Sequence, residues 1–297
     1  MGLRGKHTII KTIGFVSIYI FIFVFLLYFL YKQYFNVYKD NFHTNTLSTD
    51  NLRNMEKKHY RAVMLVLASH NNTTFENCRN VWKSYMKLDN QIKVYFVYGN
   101  SGLELTDIDN DSDLIFENVH ESYPVLIEKT IEAMKIIDEN ISYDYFIRTN
   151  LSTFWDFQKL HLHLNDLPKT NCYSGDGPLP GYTPDGYYLS GTDTIVSKEM
   201  INEIINNTDK VDYNTIEDQA MGKFFNGVLG APMLPNRICF FEDITSIDEI
   251  DKINDRITNA IINNVDHYRV KTQSNNRDEI DMFIYKQLLL RIYNINL

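Results

Sequence analysis

The feature that most constrains the fold is the alternation of strand and helix patterns across residues 62–148. Residues 62–68 form an unbroken apolar run of strand length, which is typical of a parallel strand covered on both faces. A helical pattern follows at residues 73–87, and its first positions are rich in hydroxyl residues suited to capping. Residues 92–98 form a second strand. Because strands joined by helices wind in a right-handed sense, the sequence predicts an α/β fold with a mostly parallel, Rossmann-type sheet flanked by helices.

The same alternation continues to the middle of the chain. Residues 114–116 form a short third strand, and residues 124–139 form a helix whose apolar side chains recur every three or four positions. Residues 143–148 give the fourth strand. The second half is less regular: the turn-rich residues 175–186 predict a long surface loop, and a last helix is predicted at residues 277–291.

The loops after the strands are the candidate ligand sites, because open α/β sheets bind ligands at the carboxyl ends of their strands. Three loops occupy such positions: residues 69–71, 99–102 and 149–152. Ser69 and His70 are the candidate binding residues of the first loop, and Asn150 and Ser152 are those of the third.

Charge and cysteine content exclude some classes of function. The chain of 297 residues carries a net charge of −9, which argues against nucleic acid as a partner. Cys78, Cys172 and Cys239 lack the spacing of metal ligands. Two interpretations stay open: one disulfide with one free thiol in an oxidising lumen, or three buried free thiols.

The N-terminal region predicts a membrane anchor. Residues 12–31 are uncharged and mostly apolar, and twenty such residues suffice for a helix to cross a bilayer. Arg4, Lys6 and Lys11 precede this run, so the positive-inside rule favours a cytoplasmic N-terminus. No cleavage signal follows. We therefore expect a type II membrane protein with a lumenal body in the Golgi, the ER or another internal membrane. Its parts are a tail (1–11), an anchor in the lipid bilayer (12–31), a stem (32–58) and a body (59–297).

Four local patterns follow one another in the body. They are Arg79-x-x-Trp82, Glu121-Ser122-Tyr123 before a helix with Lys129-Thr130, Tyr188-x-Ser190-Gly191 followed by Ser197, and Glu217-Asp218 followed by Gly222. In this order they resemble the β-1,3-glycosyltransferases of the galactosyltransferase and N-acetylglucosaminyltransferase type. Those proteins are type II membrane enzymes with the nucleotide-sugar-binding fold called GT-A, so the resemblance implies a GT-A-like fold here.

The resemblance also implies roles for individual residues. Asp218 matches the general base that takes the proton of the acceptor hydroxyl, and Glu217 matches a residue of acceptor binding or support. Glycine and a small side chain at the third pattern permit close approach of a sugar. The expected nucleotide-sugar-binding residues are Ser69, His70, Arg79, Arg148, Asn150, Ser152, Ser190 and Gly191.

One part of the family pattern is missing. The family has roughly Lys-x-Asp-Asp-Asp-x-Phe after its fourth strand, where this chain has Arg148, then Asn150, Leu151 and Ser152, then Phe154. In the family these carboxylates hold a manganese ion that neutralises charge on the leaving nucleoside diphosphate. Amide and hydroxyl oxygens are poorer ligands for a hard divalent cation than carboxylates. A metal site at this loop is therefore not expected.

Three explanations of this loss remain open. The leaving-group charge is handled by cations (Arg148, Lys223, Arg237 or Arg269) or by a helix N-terminus. Alternatively, the phosphates hold manganese together with a distant residue such as His267. In the third explanation, the chain binds sugar without turnover.

The leading hypothesis is a membrane-anchored glycosyltransferase. The resemblance implies transfer of a hexose or N-acetylhexosamine from a UDP-sugar to a glycan or glycoprotein acceptor, with inversion. The alternative is a catalytically inactive, membrane-anchored carbohydrate-binding protein. A structural membrane glycoprotein without a small-molecule site is a third interpretation, which the ordered patterns disfavour.

Overall fold

The computed structural model describes residues 57–69, 73–100, 111–121, 126–177, 179–180, 187–229 and 237–297. The predicted tail, anchor and most of the stem lie outside these residues, and so do His70, Ser122 and Tyr123. In the part of the chain that is described, no helix has the length and apolar character needed to cross a membrane.

Strands and helices alternate through the first half, as the sequence predicts. The strands are β1 (His59–Leu67), β2 (Ile92–Asn100), β3 (Asp113–His120), β4 (Ser142–Asn150), β5 (Thr153–Trp155), β6 (Tyr173–Ser174), β7 (Leu179–Pro180), β8 (Tyr187–Tyr188), β9 (Thr194–Ser197), β10 (Ile238–Phe240) and β11 (His267–Arg269). The α-helices are α1 (Thr73–Tyr85), α2 (Ile127–Asn140), α3 (Phe157–Asp166), α4 (Lys198–Asn206), α5 (Glu217–Leu229), α6 (Ile250–Ile262) and α7 (Arg277–Leu288).

The central sheet is mixed and has helices on both faces. Its six strands lie in the order β3-β2-β1-β4-β9-β6. The first four strands of this order are parallel to one another, which confirms the predicted parallel α/β core. At the other edge, β9 runs antiparallel to β4, and β6 runs antiparallel to β9. The sheet is therefore less uniform than expected. A second sheet of order β10-β11-β5 and a β7-β8 pair accompany it.

The apolar run in β1 is explained by burial on both faces. Ala62, Met64 and Val66 pack on one side in a cluster with α1, α3, α6 and α7. Val63 and Leu65 pack on the other side with α2, α4 and α5. A strand covered on both faces has no polar face to alternate with, so its sequence is continuously apolar.

Two element ends differ from the sequence prediction in ways that matter. β4 continues to Asn150 because its ladder with β1 extends to the Leu67–Asn150 pair. Thr149 and Asn150 are therefore strand residues rather than loop residues. The last α-helix ends at Leu288 and continues as a π-helical turn, Leu289–Tyr293, which stops at the left-handed Asn294 (φ 57°).

The cysteine alternatives are also resolved. All three cysteines are buried free thiols, so the interpretation with one disulfide is wrong. Burial raises the pKa of Cys78 and Cys239 to about 11 and that of Cys172 to about 12. Burial outweighs the nearby arginines, which act to lower the pKa of Cys78 and Cys239, so the thiols stay protonated at neutral pH.

Candidate functional site

A cleft of about 340 Å³ opens where β1 and β4 end, the edge at which parallel sheets bind ligands. Its lining is Leu67, Ala68, Ser69, Phe75, Glu121, Leu126, Lys129, Arg148, Asn150, Leu151, Ser152, Arg269, Lys271 and Arg277. Four of the sequence-predicted binding residues are therefore brought together here: Ser69, Arg148, Asn150 and Ser152.

Asn150 is held by contacts on both ends of its amide. Its Oδ1 accepts hydrogen bonds from Ser152 Oγ and Thr153 Oγ1, each at 3.1 Å, and from Arg269 Nη1. Its Nδ2 donates to the Gly191 carbonyl at 3.2 Å. Because Asn150 Oδ1 already accepts three hydrogen bonds, one of them from a cationic group, it has no free lone pair with which to coordinate a divalent cation.

The first helix fixes the same loop from behind. Trp82 on α1 donates from Nε1 to the Leu151 carbonyl at 3.0 Å. Trp82 is buried and its ring stacks on Tyr85 with centroids 5.3 Å apart. The first sequence pattern thus contributes to the site by positioning this loop.

Arg148 and Glu217 form a buried ion pair beside the cleft. Arg148 Nε donates to Glu217 Oε1 at 2.9 Å, and a second contact joins Arg148 Nη2 to Glu217 Oε2. Thr130 Oγ1 also donates to Glu217 Oε1 at 3.0 Å. Complete burial raises the pKa of Glu217, and the Arg148 guanidinium opposes that rise. The placement favours a supporting role for Glu217 over direct acceptor binding. The charge of Arg148 is neutralised by this ion pair inside the protein.

Gly191 connects the cleft to Asp218. Its carbonyl accepts from Arg148 Nη1 and from Asn150, and its amide donates to Asp218 Oδ2 at 3.1 Å. A Cβ at this position would run into the Arg148 guanidinium, so any larger residue requires that guanidinium to move from its place beside Glu217. Asp218 lies in the first turn of α5 and is partly exposed, next to the fully buried Glu217.

Ser190 lies directly before Gly191 in the chain. Its Oγ lies 3.0 Å from Thr192 Oγ1, and its carbonyl accepts from Thr194 Oγ1 at 3.1 Å. The Tyr-x-Ser-Gly pattern is thus a well-bonded turn next to Asp218.

Lys129 and Glu121 form a second buried ion pair on the cleft wall. Lys129 Nζ lies 2.8 Å from Glu121 Oε1 and donates to the Ala68 carbonyl at 2.9 Å. Burial lowers the pKa of Lys129, and Glu121 opposes that change. Glu121 also accepts from the Gly99 amide at 2.5 Å. This pair therefore joins the ends of β1, β2 and α2.

Arg79 does not line the cleft, contrary to its predicted place in the binding set. It pairs with Asp113 of β3 at 2.5 Å, and its guanidinium lies over the rings of Phe96 and Tyr98. Arg79 therefore ties α1 to the sheet.

Two of the cations that were candidates for the leaving-group charge also lie elsewhere. Lys223 pairs with Asp212 at 2.6 Å, and Arg237 lies 3.5 Å from Asp166. Neither lines the cleft. Of the four predicted cations, Arg148 and Arg269 do.

His267 is part of a buried charge network and does not fit the role of a metal ligand. Its Nε2 lies 3.2 Å from Asp193 Oδ2, and its Nδ1 contacts Asp266. His163 Nδ1 lies 2.6 Å from the other oxygen of Asp266. Although burial lowers the pKa of His267, the two carboxylates raise it to about 10. A protonated imidazole has no lone pair for a metal.

The residues present do not fit a manganese ion. Over the described ranges there is no group of three or more His, Cys, Asp or Glu side chains that could hold a metal. At the expected loop, Asn150 is fully engaged and Ser152 Oγ donates to it. At the end of β4 this chain thus has neutral side chains bonded to one another and to Arg269.

Sequence reasoning missed Lys271 and Arg277 as cleft residues. Both follow β11, which pairs antiparallel with β5 so that Arg269 lies opposite Thr153. That pairing brings a segment more than 100 residues away in sequence to the end of β4. A lone basic residue in the sequence carries no signal of such a placement.

Comparison with known proteins assigns no family. Neither a protein-family model nor a curated protein matches the sequence. Among solved structures, the chain is similar to a glycosyltransferase involved in the glycosylation of the major capsid of PBCV-1. That likeness has 11% sequence identity and a TM-score of 0.46, and it covers 75% of this chain and 98% of that chain. A likeness of this size identifies neither a family nor an activity.

Proposed function

We propose that the chain is a glycosyltransferase that moves a hexose or N-acetylhexosamine from a UDP-sugar to a hydroxyl of a glycan or glycoprotein, with inversion. The observation that carries the proposal is the convergence on Gly191. Its carbonyl contacts Arg148 and Asn150 at the cleft, and its amide contacts Asp218. Two of the sequence patterns that resemble a glycosyltransferase, Tyr-x-Ser-Gly and Glu-Asp, thus meet next to the cleft.

The other patterns support the same place. Thr130 of the Lys-Thr pattern contacts Glu217, and Trp82 holds the Leu151 carbonyl. These residues are far apart in sequence, and the fold brings them to the end of the sheet at which the cleft opens. Their placement there supports the proposal.

The chemistry of the proposal uses Asp218 as general base. The acceptor hydroxyl oxygen attacks the anomeric carbon and forms the new glycosidic bond, while its proton passes to Asp218. The bond from the anomeric carbon to the diphosphate breaks, and its electron pair stays on the departing phosphate oxygen. Glu217, neutralised by Arg148, fixes the start of α5, and the next residue, Asp218, accepts a hydrogen bond from the Gly191 amide beside the cleft.

The membrane part of the proposal comes from the sequence alone. Residues 12–31 anchor the chain as a type II membrane protein with its body in the lumen of the Golgi, the ER or another internal membrane. The apolar run and the basic residues before it support this orientation.

The test is turnover by the purified full chain. UDP release from a panel of UDP-sugars is measured with a mixture of glycan acceptors, in the presence of manganese and in the presence of EDTA. We expect release with at least one donor. Saturable sugar binding without release under either condition would instead support the inactive carbohydrate-binding protein.

A further inference from the structure

The cleft is cationic in a chain that is acidic overall. The net charge of the protein is −9, yet its cleft lining contains five basic side chains and one acidic one. Two of the five are neutralised inside the protein, since Lys129 pairs with Glu121 and Arg148 pairs with Glu217. The remaining three are Arg269, Lys271 and Arg277. Arg277 is itself paired with Asp281 at 2.7 Å, so only Arg269 and Lys271 are without a close carboxylate among the described residues.

The charge of Arg269 is only weakly compensated. Its side chain is 14% exposed, and its carboxylate partner, Glu242, lies 3.9 Å away and is itself nearly half exposed. Its close contact is with the neutral Asn150 Oδ1. Burial lowers the pKa of Arg269, with the nearby cations Arg148 and Arg277 acting in the same direction. A buried charge with so little compensation is stabilised by an incoming anion.

The other two cations are held at the cleft by one carboxylate. Asp281 of α7 is buried, and its Oδ1 accepts from the Thr272 amide at 3.0 Å and from Thr272 Oγ1 at 2.7 Å. Its Oδ2 lies 2.7 Å from Arg277 Nε. Asp281 thus fixes both the residue after Lys271 and the first residue of α7. Lys271 is exposed, and no carboxylate among the described residues pairs with it.

Asn150 is the residue that keeps this charge available. A carboxylate at position 150 would form an ion pair with Arg269 and cancel its charge. An amide accepts the same hydrogen bond and leaves the positive charge in the cleft. This chain therefore has the positive charge of the Arg269 guanidinium at the loop where the resembled family has carboxylates.

We propose that Arg269 and Lys271, with the Asp281-paired Arg277 beside them, bind the diphosphate of the donor in the place of a metal ion, so that donor binding needs no divalent cation. This inference rests on the proposed function, because it takes the ligand to be a nucleotide sugar. Guanidinium and ammonium groups bind phosphate oxygens by charge-assisted hydrogen bonds and stabilise the charge that develops on a leaving diphosphate.

The test is calorimetric titration of the full chain with UDP, in EDTA and in manganese. We expect equal affinity in the two conditions. Arg269→Met and Lys271→Met should each weaken UDP binding about tenfold to a hundredfold, and Arg269→Lys should retain part of it. Lys286→Met removes an exposed charge from α7 outside the cleft and should change nothing. Because Lys271 is exposed, its variant tests the inference even where the Arg269 variants fold poorly.

Asn150→Asp separates a cation site from a metal site. It should weaken UDP binding in EDTA, because the new carboxylate pairs with Arg269. Tighter binding that depends on manganese would overturn the inference, and so would a wild-type protein that binds UDP only with manganese. UDP binding in EDTA without sugar transfer to any acceptor leaves the cation site standing and refutes the transferase. Sugar transfer that requires manganese would support the transferase and refute the cation site.

Discussion

Removing the charge of Glu217 is expected to destabilise the fold strongly. In Glu217→Gln, Arg148 stays buried with a side chain 7% exposed, but its carboxylate partner is gone. Breaking a buried pair in this way costs about 3–5 kcal/mol, because the remaining charge is uncompensated. For a chain of this size that corresponds to a fall in melting temperature of roughly 6–20 °C.

Urea unfolding followed by tryptophan fluorescence measures this loss. Trp82 and Trp155, the two tryptophans of the chain, are both buried, so their emission changes on unfolding. The matched control is Glu132→Gln, which removes one partner of the half-exposed Glu132–Lys135 pair. We expect it to change the free energy of unfolding by less than about 1 kcal/mol.

A double variant distinguishes an unpaired charge from lost packing. Arg148→Met combined with Glu217→Leu replaces both charges by apolar groups of similar size, which is often neutral in buried pairs. It should recover most of the stability lost in Glu217→Gln. A loss in Glu217→Gln no larger than that of the Glu132→Gln control would show that the buried Arg148 charge does not depend on Glu217.

Three further predictions follow from local geometry. Gly191→Ala should destabilise the protein and lower UDP release, because its Cβ displaces the Arg148 guanidinium; circular dichroism melting and the release assay measure this. Between pH 6.5 and about 10 the native state keeps the His267 proton that the unfolded chain loses. The free energy of unfolding should therefore fall by about 1.4 kcal/mol per pH unit, and urea titrations should show a smaller slope in His267→Gln. A thiol reagent should label no cysteine rapidly in the native protein and all of them in urea; these are Cys78, Cys172 and Cys239.

Much of the fold could be predicted because its signals are local. The apolar run of β1 and the period of α2 each follow from burial of a strand on two faces or a helix on one. The antiparallel edge of β9 and β6 could not be predicted, since two to four residues carry too little pattern. The end of β4 at Asn150 depends on its ladder with β1 rather than on its own sequence.

The candidate site could be predicted in part. The residues at the end of β4 were found because strand ends form ligand sites in this kind of sheet. The pairing of Arg148 with Glu217, 69 residues later, leaves no trace in the sequence, and it changes Arg148 from a candidate phosphate ligand to a neutralised support. The cations after β11 depend in the same way on long-range strand pairing.

The most direct test of the central claim is the turnover of Asp218→Asn. We expect UDP release by the full chain to fall by about 10²–10⁴-fold, the usual contribution of a general base, while UDP affinity stays within twofold. Asp209→Asn, in a short 3₁₀ helix before α5, is the matched control and should keep full turnover. Undiminished turnover in Asp218→Asn would show that Asp218 is not the base on which the proposed transfer depends.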